Sequence, residues 1–346
     1  MNLESYRGCC RQGADWLLQQ LNADGSIGPV ADDLYYYRVP WTFALVGEIE
    51  AASRALEWTK RNMLTPEGAL EGVTPQGVFA DRYGCYPLSC LLTGAALLQR
   101  FDVVRPCTAR LLTWQDPESG GFFHDHTERT SAGEQEIFPT AQAGMSLLVA
   151  GEVDAARRAG IWMERLWSLQ PEIDRRLFAV YSADLGLITE YPEQQKALYV
   201  TEKSEPWQHH FNGGIAAAFL AHLYLATGEG NWLALARSYQ DFSMTTDECQ
   251  FQSMQVCKSG WGSGLLWVAT KEERYRDWTL RLGDWFVEHQ LDDGRWENTK
   301  FFTPNPTLPD KIEITAEFVM HVANIIAYVS AGEAASRSTE KPVEEE

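Results

Sequence analysis

The sequence predicts an all-α chain folded as an (α/α)6 toroid, with six inner and six outer helices in one closed domain. Two kinds of helical pattern alternate along the 346 residues, one apolar on every side and one amphipathic and charged. They are joined in turn by short glycine–acid turns and by longer loops rich in Gly, Pro and Asp. A helix that is apolar all round must be buried, whereas one with a charged face covers a surface, so the alternation implies a ring inside a ring. A single closed ring also accounts for a chain of this length without a linker.

The first amphipathic helix begins near Ser5, and the first apolar pattern is PWTFALVG from Pro40. Gly47 stops that helix and a charged helix begins near Glu48. YPLSCLLTGAALL from Tyr86 is the second inner helix, followed by an outer helix from about Asp102. FPTAQAGMSLLVAG from Phe138 is the third, and Gly151 separates it from the outer helix near Glu152. FNGGIAAAFLAHLYLATG from Phe211 is the fourth, and Gly228 separates it from the helix near Asn231. GWGSGLLWVAT from Gly260 and AEFVMHVANIIAYV from Ala316 are the fifth and sixth, with an outer helix from Glu272 between them. Gly47, Gly151 and Gly228 suit the left-handed helix stop, and the acid after each suits the next helix start. The toroid is expected over residues 1–333, with a disordered, charged tail over 334–346.

A net charge of −19 argues against a nucleic-acid partner and against docking on anionic membranes. Nowhere do about 18 apolar residues run uninterrupted, so no membrane span is expected. The opening residues lack the basic and apolar regions of a signal peptide. Seven cysteines, an odd number without repeated spacing, read as reduced thiols. Cys9-Cys10 reads as a buried pair rather than a redox pair. The chain is thus expected to be cytoplasmic and to take a small-molecule substrate.

In such a ring the inner helices start from the long-loop end, and their N-termini converge on a donor-rich mouth. The residues at these starts are chemically rich: Tyr35, Tyr36, Tyr37, Arg38 and Trp41 at the first, and Asp81, Arg82, Tyr83, Cys85 and Tyr86 at the second. The third offers Glu134, Glu136 and Thr140, after a loop carrying His124 and His126; the fourth offers Trp207, His209, His210 and Asn212. Cys257 and Trp261 open the fifth, Glu313 and Glu317 the sixth. For each residue the alternative is ordinary helix capping or loop packing. Histidine is the natural acid or base near neutral pH, and Trp207 and Phe211 beside the His209-His210 pair would exclude water. Adjacent residues at a helix start point in different directions, so one of the two is expected to face the cavity.

RLGDWFVEHQLDDGRW, from Arg281 to Trp296, sets Arg281, Gly283, Gln290, Gly294 and Trp296 in an order that resembles the QW repeat. That repeat belongs to terpenoid cyclases and the β subunits of protein prenyltransferases. Arg11, Gly13, Trp16, Gln20 and Gly25 keep the order, with Ile27 in place of the last tryptophan; Trp114, Gln115, Gly121 and Phe123 keep its second half. The resemblance implies the toroid, with a glutamine ending a helix and an aromatic ring returning beside it. CKSGWGSGLL, from Cys257, is similar to the zinc-cysteine helix of the prenyltransferase β subunits, with His321 at a plausible distance for a second ligand. The aspartate that family needs two residues before the cysteine is Gln255, a poor zinc ligand. No cofactor is therefore expected, and zinc on Cys257 and His321 is the alternative.

The Asp-x-Asp-Asp motif of protonating cyclases and the DDxxD motif of ionising cyclases are both missing, as are P-loop, GxGxxG and HExxH signatures. The expected function is a cyclase, isomerase or lyase acting on a small, largely hydrophobic metabolite by cofactor-free acid–base catalysis. His209 or His210 would be the base or acid, and Glu317 or Glu136 the acidic partner. Tyr37, Tyr83 and Cys257 would donate hydrogen bonds. Trp41, Trp207 and Trp261 would shape a pocket to which Arg38, Arg82, Tyr86 and Asn212 contribute. A carbohydrate-active enzyme using acids among Asp81, Glu136, Asp184, Glu190 and Glu317 is the first alternative. A non-catalytic binding or scaffold protein is the second.

Overall fold

The computed structural model describes residues 3–29, 34–71, 83–123, 129–252, 257–297 and 305–339. Among the described residues there are six outer helices: Leu3–Gln20, Ile49–Met63, Phe101–Leu112, Val153–Ser168, Gly230–Met244 and Glu273–Glu288. They alternate with six inner helices: Val39–Leu45, Cys85–Leu97, Ile137–Ala150, Phe211–Thr227, Cys257–Thr270 and Leu308–Thr339. Each inner helix packs on the next, and the last returns to the first, so the ring closes. Each outer helix packs on the inner helix before it, and the first outer helix packs on the last inner one.

The two hydrophobic patterns account for this layering. The third inner helix is buried without interruption from Ile137 to Leu147, and the fifth from Cys257 to Trp267. The fourth outer helix instead buries only a stripe, Ala155, Ala156, Ala159, Gly160, Trp162, Met163 and Leu166, at helical spacing. The sixth inner helix is long and apolar enough to cross a membrane, yet 72% of its most apolar window is buried inside the toroid. It also continues to Thr339, past the boundary expected at 333; residues beyond 339 lie outside the described residues.

All five short turns contain a left-handed residue. Gly47, Gly151 and Gly228 have φ of +83°, +89° and +73° as the sequence implies, but Gln99 and Lys271 hold the same place at +55° and +62°. In each case the next residue leads into an outer helix.

Glutamines fasten the other end. Gln290 Nε2 donates to Cys9 O (2.9 Å) and Gly294 O (2.8 Å), and the Trp296 indole donates to Phe286 O (3.0 Å), joining the last outer helix to the first. Gln115 Nε2 likewise donates to Gly120 O (3.0 Å) and Ala155 O (2.8 Å), crossing to the fourth outer helix. The Gln20 side-chain amide instead donates to Trp16 O within its own helix (3.3 Å). A further clamp that the sequence reading missed is Gln170, which exchanges two 2.9 Å bonds with the backbone of Phe178.

The long connection before the fourth inner helix, read from sequence as a loop, carries short strands. β2 (Arg176–Phe178) pairs antiparallel with β5 (Val200–Glu202). β3 (Val180–Ser182) lies between β1 (Gln135–Glu136) and β4 (Gly186–Leu187), with Glu136 opposite Val180. Strands this short show no readable alternation, so their register is set by the toroid beneath them.

Candidate functional site

The sixth inner helix begins two turns early, which stacks Glu313, Glu317 and His321 on one face at successive i, i+4 positions. Against that face come Tyr37 and Arg38, just ahead of the first inner helix, and Cys257 and Lys258, which open the fifth. The position of Lys258 follows from glycine. A Cβ on Gly214 would lie 2.4 Å from Ser259 N, and one on Gly262 would lie 2.7 Å from Gly214 O, so inner helices four and five meet backbone to backbone. No side chain larger than hydrogen allows that approach.

The polar contacts centre on Glu317. Lys258 Nζ is 2.6 Å from Glu317 Oε1, and Arg38 reaches its other oxygen at 3.5 Å. His321 Nε2 lies 3.5 Å and Cys257 Sγ 3.8 Å from Oε1. Arg38 also donates to Glu313 Oε1 (2.9 Å), Tyr37 OH (2.9 Å) and Tyr86 OH (3.1 Å), and Tyr37 OH donates to Glu313 (3.1 Å). The side chains of Arg38, Glu317 and Lys258 are 3%, 5% and 8% exposed, so this is a buried charge cluster whose members must satisfy one another.

Aromatic rings wall the cluster. Lys258 Nζ lies 5.5 Å from the Phe138 ring centre and 5.3 Å from that of Phe211, within cation–π range. Phe138 stacks on Tyr86 (4.3 Å) and touches Phe211 (4.9 Å). Trp261 meets His321 edge-on at 5.6 Å and packs against Trp41 at 6.0 Å.

Burial and charge pull the ionisable groups apart. Although burial disfavours its charge, Glu317 is held well below the usual carboxylate range by Arg38 and Lys258. Burial raises Glu313, with Arg38 opposing. Lys258 is raised despite burial because Cys257 and Glu317 favour its ammonium. Burial pushes the Cys257 thiol up to about 12 and lowers His321 to about 4, Glu317 opposing in the case of His321. The centre at neutral pH is thus an ionised Glu317 between two fixed cations, with a neutral imidazole and a neutral thiol beside it.

Of the other residues singled out in the sequence, those described make contacts of their own. Of the histidine pair, His209 stacks on Phe211 at 4.8 Å, one ring away from Lys258. His210 lies on the side of Glu205 and Asp247, and burial lowers it to about 4. Tyr83 OH donates to Glu136 Oε1 (3.1 Å), and Tyr83 meets Phe138 edge-on, so this pair stands behind the aromatic wall. Asn212 is buried and its Oδ1 has no hydrogen-bond partner among the described residues. Trp207 is 41% exposed and holds a left-handed φ of +59°. Asp81, Arg82, His124, His126 and Gln255 lie outside the described residues. Sequence reasoning missed Lys258. Its signal was a lone lysine in an otherwise uncharged, apolar helix, where a long cation is seldom buried without a partner.

Cys257, Glu317 and His321 hold their donor atoms within 4.8 Å of one another, an arrangement of metal-ligating residues. The set does not fit a metal as it stands, because the Lys258 ammonium already bonds Glu317 at 2.6 Å and lies 3.9 Å from Cys257 Sγ.

No protein-family model and no curated protein sequence matches the chain. Among solved structures, D-mannose isomerase aligns with a TM-score of 0.68 at 14% identity, covering 94% of this chain and 97% of that one. An unsaturated glucuronyl hydrolase specific for heparin aligns at 0.65 and 10% identity, covering 96% and 97%. The type II terpene cyclase MstE from Scytonema aligns at 0.56 and 13% identity, covering 95% and 100%. The chain shares with these proteins the (α/α)6 toroid over nearly its whole length.

Proposed function

We propose that the chain is an enzyme performing cofactor-free acid–base chemistry on a small molecule: abstraction of a proton beside a carbonyl, leading to isomerisation, elimination or ring closure. The observation that carries this reading is the contact of one carboxylate, Glu317, with His321, Lys258 and Arg38 at the centre of the ring. With Nε2–H directed to Glu317, the free lone pair of His321 is on Nδ1, which has no hydrogen-bond partner among the described residues. A buried imidazole that is neutral at pH 7 has its lone pair available. The Glu317 carboxylate beside it would stabilise the imidazolium formed on accepting a proton, against the burial that lowers its basicity. Lys258, Arg38 and the hydroxyls of Tyr37 and Tyr86 supply positive charge and donors for the oxygen on which negative charge develops. Phe138, Phe211 and Trp261 offer a flat apolar wall, favouring a substrate with a hydrophobic body and one enolisable carbonyl.

A sugar isomerase or epimerase is the second reading. It is favoured by the Tyr37–Arg38–Glu313 group, which could bind several hydroxyls, and by the likeness to D-mannose isomerase. Both readings share the proton step. Incubating the protein in D2O with panels of aldoses, ketoses and aromatic carbonyl compounds, and following loss of the α-carbon proton by NMR, tests it. Exchange in either panel supports the reading and selects the substrate class; no exchange with compounds that raise the melting temperature counts against it.

A further inference from the structure

We propose that the Lys258 ammonium is the resident cation of the Cys257–Glu317–His321 cluster, that it keeps divalent metals out, and that removing it converts the cluster into a zinc site. A zinc ion binds thiolate, imidazole and carboxylate at roughly 2.0–2.3 Å, so its ligand atoms stand on the order of 3.5–4 Å apart. The separations here, 3.5 Å from His321 Nε2 to Glu317 Oε1 and 3.8 Å from Cys257 Sγ to the same oxygen, already match. All three residues are buried, and His321 Nδ1 has no hydrogen-bond partner among the described residues. The donor geometry is present; the charge balance is wrong.

Lys258 Nζ sits 2.6 Å from the shared oxygen and 3.9 Å from the sulfur, so an ion held by those two atoms would have the ammonium as an immediate neighbour. Arg38 lies 3.5 Å from the second carboxylate oxygen. A divalent ion would therefore face two cations in a medium far less polar than water, where like charges at such range repel strongly. Zinc would also require the Cys257 proton to leave, a step coupled to binding. The ammonium instead neutralises Glu317 with an N–H donor, and the Phe138 and Phe211 rings hold it over the cluster.

Zinc content reads this without any substrate, so the inference can fail separately from the catalytic reading. Wild-type protein incubated with zinc chloride and desalted should carry no stoichiometric metal. Lys258→Met should retain one zinc per chain, at an affinity at least about a hundredfold above wild type. That zinc should be lost again when Cys257→Ser or His321→Asn is added. Cobalt in place of zinc should give the visible bands of a tetrahedral thiolate site in the single variant only. Lys258→Arg, which keeps the charge, should remain metal-free. Stoichiometric zinc at Cys257 and His321 in the wild type or in Lys258→Arg would overturn the proposal. So would a folded Lys258→Met that binds none, and Lys258→Gln gives the same reading if the methionine variant does not fold.

Discussion

Lys258 Nζ and Glu317 Oε1 meet at 2.6 Å in the middle of the inner ring, each side chain less than a tenth exposed. A pair desolvated to this degree is costly to break from one side, because the survivor is left as an uncompensated buried charge. Lys258→Met or Glu317→Gln alone, without added metal, is expected to lower stability by about 3 kcal/mol. The double variant Lys258→Met/Glu317→Gln should lose clearly less than the two single losses added together. Urea denaturation of the three proteins measures the coupling, and additive losses would show that the pair is not the unit described.

Gly214 is where inner helices four and five touch. A methyl there would lie 2.4 Å from the Ser259 nitrogen, and backbone on both sides prevents local relief. Gly214→Ala should cost about 2–3 kcal/mol and displace Lys258. Gly230, with open space around its Cβ position, is the control, and its alanine variant should melt like the wild type.

Two of the five short turns use a side chain where glycine would be unstrained. Gln99→Gly and Lys271→Gly should each raise stability by about 1 kcal/mol, since left-handed backbone disfavours L residues by roughly that amount. Thermal unfolding of the two variants checks this. A loss at position 271 would instead identify the contact of Lys271 Nζ with Val268 O as dominant.

Burial lowers His210 from 6.5 to about 4. Its folded pKa lies below its unfolded value, so the unfolded chain binds the extra proton between those limits. Stability from this residue is complete above pH 6.5, falls as pH drops towards 4 and is level below that. The loss across the window is about 3 kcal/mol. His210→Gln should flatten the stability–pH profile over that interval, and an unchanged slope would contradict the assignment.

The toroid was legible because burial writes itself into helix periodicity: FPTAQAGMSLLVAG has no charged position, and VDAARRAGIWMERLWS has a charged face. Turns at Gly47, Gly151 and Gly228 were legible for the same kind of reason, whereas Gln99 and Lys271 take their conformation from the ring around them. Glu317, Cys257, Arg38 and Tyr37 could be named as residues at converging helix starts, but their pairing could not. It depends on how far the sixth inner helix extends before Glu313 and on the close contact at Gly214, both properties of packing. The burial of Lys258 follows from the backbone contact of the fourth and fifth inner helices at Gly214, which no local pattern around Cys257 and Trp261 encodes. His209 and His210 attracted weight as adjacent histidines, yet His321, an isolated histidine in an apolar helix, is the ring in contact with Glu317.

Single-turnover proton exchange by His321→Asn, on the substrate found in D2O, beside His209→Gln and Glu317→Gln, decides which imidazole moves the proton. With His321 as the base, its asparagine variant should lose about a thousandfold in exchange rate while substrate affinity changes little. Full exchange by His321→Asn, with the loss falling on His209→Gln instead, would contradict the account and move the proton step to the other side of Phe211.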